Sequence, residues 1–434
     1  MKKYEKYKES GIQWIGQVPE HWKKKRVKHI AKLVNGYPFQ SGTYCEEGKW
    51  NIITISNVKN ESFDTTGCKT IGTLPVDIQN SQILSKGDLL ISMTGNVGRV
   101  CFVDKDNCLL NQRVGKLDVS PNVDKTFLLY ALVSPSFVSY LVQRSQSTAQ
   151  LNVGKEDIGS FPIFLPPLSE QQAIAGYLDE KTGKIDESIE VLEEQKADLQ
   201  KYRAAVISEA VTHGLDATAK MKDSGVLWIG QIPKGWRCLP VKRFSTIQTG
   251  CTPSTSESKY FDGDFNWFTP SDFKGQLMLS NSNRKLSQCA VEERACRVFP
   301  AGSVYIIGIG GTLGKVSACS EVASANQQIT VISPNSTMNY KFLAYFLSTK
   351  REIFETKANA ATLPILSSES IASFPVPVPP LSEQQAIADY LDEKTGKIDE
   401  AIATIDTQIA DLRAYRTALI TEVVTGKVKV SCGE

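Results

Sequence analysis

Gly308-Ile309-Gly310-Gly311-Thr312-Leu313-Gly314-Lys315-Val316 has the glycine and lysine content of a loop that cradles phosphate. Such a loop needs glycine five positions before its glycine–lysine pair, and Ser or Thr after the lysine to reach a metal ion. Those positions hold Ile309 and Val316, and Leu313 fills the third glycine slot of a dinucleotide fingerprint. The matching stretch of the first half, residues 93–100, keeps only Gly95 and Gly98. A structural turn is expected instead. Other chemistry is as poorly supplied. The only histidines are His21, His29 and His213, too few and too scattered to suggest acid–base work. Leu165-Pro166-Pro167-Leu168 lacks the polar first residue and the aromatic of an adenine methyltransferase motif. Cys101/Cys108 and Cys289/Cys296 do not have zinc-ligand spacing, so no metal site is expected, and the cysteines read as reduced, mostly buried thiols. The reading is a chain with no catalytic residues.

What the sequence does offer is hydrogen-bonding side chains in glycine-punctuated loops. The first half presents Tyr37, Ser56, Asn57, Thr94, Asn96, Arg99, Gln112 and Arg113. The second presents Thr252, Ser254, Ser271, Thr312, Lys315 and Gln327. Asn and Gln can pair bidentately with adenine, Arg with guanine, and Ser/Thr with either base, while lysine positions phosphates. Each is also an ordinary turn former. Lys23-Lys24-Lys25-Arg26 reads as a solvated face.

These loops sit in a chain written twice. Residues 10–22 (SGIQWIGQVPEHW) return as 224–236 (SGVLWIGQIPKGW), and residues 168–189 return as 381–402 with only Gly176/Asp389 and Ser188/Ala401 differing. Between these anchors the two halves diverge strongly. Net charge follows the same division: +6 over residues 1–166, −5 over 167–215, +5 over 216–379 and −4 over 380–434. Basic bodies fit a polyanionic partner, and acidic tails do not.

Each tail predicts a helix. Pro166-Pro167 and Pro379-Pro380 block helix upstream, and Ser169/Gln172 and Ser382/Gln385 have capping-box spacing. Gly183 and Gly396 are expected to bend or break it. Beyond them an apolar seam runs through Ile185, Ile189, Leu192 and Leu199 in the first tail, with Lys196 interrupting. In the second it runs through Ile398, Ile402, Ile405, Ile409 and Leu412. This four-three spacing is that of a coiled coil, with antiparallel pairing of the two tails favoured and a partner protein as the alternative. A helix of about 29 residues, roughly 43 Å long, suits a spacer. The bodies, with short β-like runs such as residues 50–55, 87–92 and 303–307 and late helical stretches at 125–141 and 339–354, read as mixed α+β domains. No apolar run is long enough to span a membrane, and the charged N-terminus lacks the apolar core of a secretory signal, so a cytoplasmic protein is expected.

The repeated SGIxWIGxxPxxW opening, the Phe161-Pro162 and Phe374-Pro375 pairs, and the Pro-Pro-Leu-Ser-Glu-Gln-Gln helix with its TGKIDE segment resemble the specificity subunits of type I restriction–modification enzymes. The resemblance covers nearly the whole chain. It implies an α+β fold with two target-recognition domains (1–165 and 216–378) and two spacer helices (166–215 and 379–434) forming an antiparallel coiled coil with internal two-fold repetition. It implies a non-catalytic subunit reading a bipartite, asymmetric target in double-stranded DNA. It also implies docking of two methyltransferase subunits, with or without two restriction (nuclease/translocase) subunits. S-adenosylmethionine, ATP and Mg would then sit on the partners. A subunit serving a methyltransferase alone, or a coiled-coil scaffold that binds no DNA, remains the alternative.

Overall fold

The computed structural model describes residues 3–145, 151–358 and 364–430. The chain divides into two compact units, residues 1–193 with 407–434, and residues 194–406. Each unit holds one body and parts of both long helices.

In unit one, strands β1 (Ala31–Asn35), β2 (Trp50–Ile53), β3 (Leu89–Ser92), β4 (Val100–Phe102), β5 (Cys108–Leu110) and β6 (Val114–Val119) build two sheets. The first is antiparallel in the order β1-β6-β3-β4, with Leu33 opposite Leu117 and Leu90 opposite Cys101. In the second, β2 and β5 run parallel, with Ile53 opposite Leu110. The expected late helix is two helices, α1 (Lys125–Val133) and α2 (Pro135–Arg144), because Pro135 cannot continue the first. A long helix, α3 (Leu168–His213), follows.

Unit two repeats this plan. Strands β7 (Ser245–Thr249), β8 (Phe261–Phe268), β9 (Ser303–Ile307), β10 (Val316–Cys319), β11 (Ser324–Ala325) and β12 (Ile329–Pro334) give an antiparallel sheet ordered β7-β12-β9-β10 and a parallel β8–β11 pair. Helices α4 (Tyr340–Ser348) and α5 (Arg351–Lys357) precede the second long helix, α6 (Leu381–Val424). The α+β architecture therefore occurs twice.

The long helices differ from expectation in three ways. They have 46 and 44 residues and run unbroken through Gly183 and Gly396. They begin at Leu168 and Leu381, so Ser169 and Ser382 lie inside the first turn instead of capping it. The glutamine that secures each start is Gln171 or Gln384, not its neighbour. Gln171 Nε2 donates to the Pro166 carbonyl (2.9 Å) and its Oε1 accepts the Asp124 amide (2.9 Å). Gln384 makes the same pair of bonds, to Pro379 (2.9 Å) and from Asn339 (2.7 Å). A buried amide with both ends satisfied ties body to helix at each repeat.

Within each unit the long helices pair antiparallel. In unit one Glu193 meets Arg413 (2.7 Å) and Asp186 meets Arg416 (2.9 Å). In unit two Lys196 meets Asp406 (2.5 Å) and Arg203 meets Asp399 (2.8 Å). Ile185, Ile398, Ile405 and Ile409 are buried, and Ile189, Leu192, Leu199, Ile402 and Leu412 half-buried. Lys196, half-buried on the seam, finds its charge partner in Asp406.

The tryptophan motif closes the helix ends. Trp236 is fully buried, and Gly214 ends α3 with φ +78° as its amide bonds Ala210 (3.1 Å). In unit one the corresponding Pro19 and Trp22 pack on Gly426, which follows α6. Their cores hold Trp22, Phe127, Phe137 and Leu178 in one unit, and Trp236, Phe342, Phe346 and Leu391 in the other. Among the described residues no single helix is long and apolar enough to cross a membrane. Of the nine described cysteines, all free, four are buried, so the expectation of mostly buried thiols was too broad.

Candidate nucleic-acid interface

The antiparallel and parallel sheets of each body meet where their strands end, and the candidate loops converge there. In unit one the loop after β1 approaches the loop joining β5 to β6: Tyr37 donates its amide to the Leu110 carbonyl (2.7 Å), and Gln112 donates its amide to the Tyr37 carbonyl (3.1 Å). The loop after β2 arrives alongside, because β2 and β5 are parallel and Asn111 donates to the Ile53 carbonyl (3.2 Å). The β3–β4 connection is tied in through Met93, whose amide bonds the Arg113 carbonyl (3.0 Å). Asn111-Gln112-Arg113 is thus the hub for the other three loops.

Unit two has the same hub at Asn326-Gln327-Gln328. Cys251 donates its amide to the Ala325 carbonyl (2.9 Å), Asn326 to Phe268 (2.9 Å) and Gly308 to Gln328 (2.8 Å). The approach is close enough to demand glycine. A Cβ at Gly36 would lie 2.1 Å from the Asn111 carbonyl oxygen, and one at Gly250 would lie 2.3 Å from that of Asn326.

The structure sorts the candidates by what their side chains already do. Gln112 and Arg113 are exposed at the hub. Ser56 and Asn96 are exposed on flanking loops, and Arg99 is half-buried. Tyr37 is half-buried and donates its hydroxyl to Asp77 (2.7 Å), which pushes its phenol up from its ordinary value. Thr94 donates to Asn152 (3.2 Å). Asn57 is spent internally: it is buried, its Oδ1 accepts the amide and hydroxyl of Thr54 (both 2.8 Å), and its Nδ2 donates to the Asp64 carbonyl (2.8 Å).

Asp272 plays the Asn57 part in unit two, accepting the amide (2.7 Å) and hydroxyl (2.9 Å) of Thr269. Thr54-x-Ser56-Asn57 and Thr269-x-Ser271-Asp272 are therefore one repeated turn, with Ser56 and Ser271 outermost; the sequence reading did not pair them. Thr252 bonds Gln327 at the second hub, and both are exposed. Ser254 is exposed and bonds Ser256 (2.7 Å), Thr312 is half-buried, and Lys315 donates to the Phe273 carbonyl (3.2 Å).

The glycine-rich stretch is the hairpin between antiparallel β9 and β10, with Ile306 opposite Val316. Leu313 donates its amide to Gly310 (3.0 Å) and Gly314 to Ile307 (2.9 Å), and strand β10 follows instead of a helix, so the stretch lacks the helix N-terminus on which a nucleotide loop holds phosphate. Lys23–Arg26 forms an exposed strand paired with Pro162–Leu165. No cluster of three potential metal ligands occurs among the described residues.

A family model for the type I restriction modification DNA specificity domain matches residues 19–200 and 233–410. The chain belongs to that family and is a specificity subunit, a class that leaves catalysis to partner subunits. Among similar proteins, the putative MjaX specificity subunit of Methanocaldococcus jannaschii is 24% identical over 96% of both chains. The MjaIX subunit of the same organism is 30% identical, over 38% of this chain; the match spans 38% of the relative's length. A solved chain described as the structural basis of complex assembly and conformational transition of the type I R-M system aligns with TM-score 0.71 and 17% identity over 95% of this chain and 99% of that one. The HsdS subunit from Thermoanaerobacter tengcongensis aligns with TM-score 0.50, 16% identity, over 95% and 98%.

Proposed function

We propose that the chain reads a bipartite, asymmetric sequence in double-stranded DNA, one half-site per body, and docks two methyltransferase subunits through its long helices. The observation carrying this reading is the backbone hub found twice, at Asn111–Arg113 and Asn326–Gln328, each drawing the polar loops of one body together. The hubs share a backbone plan but differ in side chains, as two readers of different half-sites require. Residues 1–165 and 216–378 are the readers, and 166–215 and 379–434 the spacers. The DNA-contacting set is Gln112, Arg113, Ser56, Asn96, Arg99, Tyr37 and Thr94 in the first body, and Gln327, Thr252, Ser254, Ser271 and Thr312 in the second, with Lys315 toward phosphate. Asn57 shapes its loop.

S-adenosylmethionine belongs on the methyltransferase subunits, and ATP with Mg on two restriction subunits where those join. The assembly works in the cytoplasm. The test exchanges residues 1–160 for another member's body and maps methylated adenines across the host genome. One half of the recognised sequence should change. A change in both halves, or in neither, overturns the modular reading. A complex with no sequence preference in a salt-dependent gel shift would leave only the scaffold alternative.

A further inference from the structure

The two repeats treat the same arginine differently. In unit one Arg416 grips Asp186 through Nε (2.9 Å) and Nη2 (3.1 Å), and its outer edge holds a second carboxylate, Glu61, through Nη1 (2.6 Å) and Nη2 (3.0 Å). Arg203 is the corresponding residue of unit two. It grips Asp399 the same way, through Nε (2.8 Å) and Nη2 (3.1 Å). Among the described residues no second carboxylate occupies its outer edge.

The segment that should supply one has no acid at the right place. Glu61 is held by its amide on the Val100 carbonyl (2.8 Å) at the start of β4. Beside the matching start of β10, Ser317 Oγ donates to the Gln276 carbonyl (2.8 Å), and the adjoining residue is Gly275. What remains is a cavity of about 730 Å³ lined by Arg203, Lys315, Arg351, Ser208, Ser317 and Thr349. Glu352 is the one acid on its wall. Arg203 is already paired with Asp399 and Arg351 with Glu355 (2.8 Å), so what the cavity offers an acid is the free outer edge of Arg203, with Lys315 on the same wall.

We propose that this cavity is a receptor for an acidic side chain of a partner protein, and that Glu61 shows the bound geometry: a carboxylate laid along the free edge of the arginine. The inference rests on the reading that this chain docks methyltransferase subunits, and it makes that docking unequal. Unit one closes its own site, whereas unit two leaves it for the partner. A bidentate arginine–carboxylate contact gives both strength and orientation.

Ala204 is exposed, lines the cavity and makes no use of it. Ala204→Glu supplies the carboxylate from within, and Ala204→Gln adds the same bulk without charge. The full chain is co-purified with the methyltransferase subunit encoded beside it, and association is measured by titration. Ala204→Glu should weaken association at one of the two sites by about tenfold or more, and Ala204→Gln by less than about threefold, both with wild-type melting. Equal binding by both variants overturns the inference while leaving the docking reading intact. A wild-type chain that does not co-purify sinks both. If Ala204→Glu weakens DNA binding and leaves association unchanged, the cavity takes a DNA phosphate and the proposal fails.

Discussion

Tyr345 donates its hydroxyl to Asp392 at 2.8 Å and lies 3.1 Å from the Thr395 hydroxyl, joining helix α4 to helix α6. Tyr130 does the same with Asp179 (2.8 Å) and Thr182 (3.0 Å). Burial pushes both phenols above the ordinary value, so neither ionises near neutrality. Tyr130→Phe and Tyr345→Phe should each cost about 1 kcal/mol, read as a lower melting temperature. A loss in one repeat alone would show that the matched geometry is not matched in energy.

Ile405→Asp should destabilise more than Ile402→Asp. Ile405 is 9% exposed in the helix pair and Ile402 only half-buried, so the first places a carboxylate where it has less water. The difference should reach about 1–3 kcal/mol in denaturant titration. Unchanged stability of both would end the coiled-coil description.

Gly183→Ala and Gly396→Ala should stabilise the helices. Both lie inside continuous helix, and a Cβ at either meets nothing within 4 Å. Each substitution should add about 0.5–1 kcal/mol. Gly36→Ala and Gly250→Ala are the contrasting pair, because there a Cβ strikes backbone. Each should damage DNA recognition by its own body, measured as loss of preference at one half-site only.

Arg113→Ala should weaken DNA binding across sequences. If it contacts phosphate alone, the salt slope should fall by about one; if it reads guanine, discrimination at one position should relax by about 1–3 kcal/mol. Unaltered affinity and slope would remove Arg113 from the interface.

Thiol chemistry should follow burial. Burial pushes Cys101 up to about 12 and Cys108 up to about 11 from an ordinary 9.0, while Cys45 is exposed. At pH 8, iodoacetamide should label Cys45 before either buried thiol. Because the folded values are raised, the folded state holds these protons more tightly. The stability they contribute is complete below pH 9 and is lost as pH rises from there toward 11–12. Stability that stays flat through that window would contradict the burial.

The division of this protein was legible without coordinates, because local signals carry it. Repetition of residues 168–189 as 381–402 marks two units, proline pairs mark where the long helices start, and the four-three spacing from Ile398 to Leu412 marks a buried seam. The proline and four-three signals depend on neighbours a few residues apart, and the repeat needs only the chain compared with itself. Tertiary structure decided the rest. Gln171 rather than Gln172 secures the helix, since its partner, the Asp124 amide, is 47 residues away. Asn57 and Gln112 look alike as polar loop residues, yet packing turns one inward onto Thr54 and leaves the other at the surface. Arg203 and Arg416 occupy the same repeat position, and only the distant Glu61 distinguishes them. Side-chain identity says which bonds are possible; which are made depends on what the folded chain brings within about 3 Å.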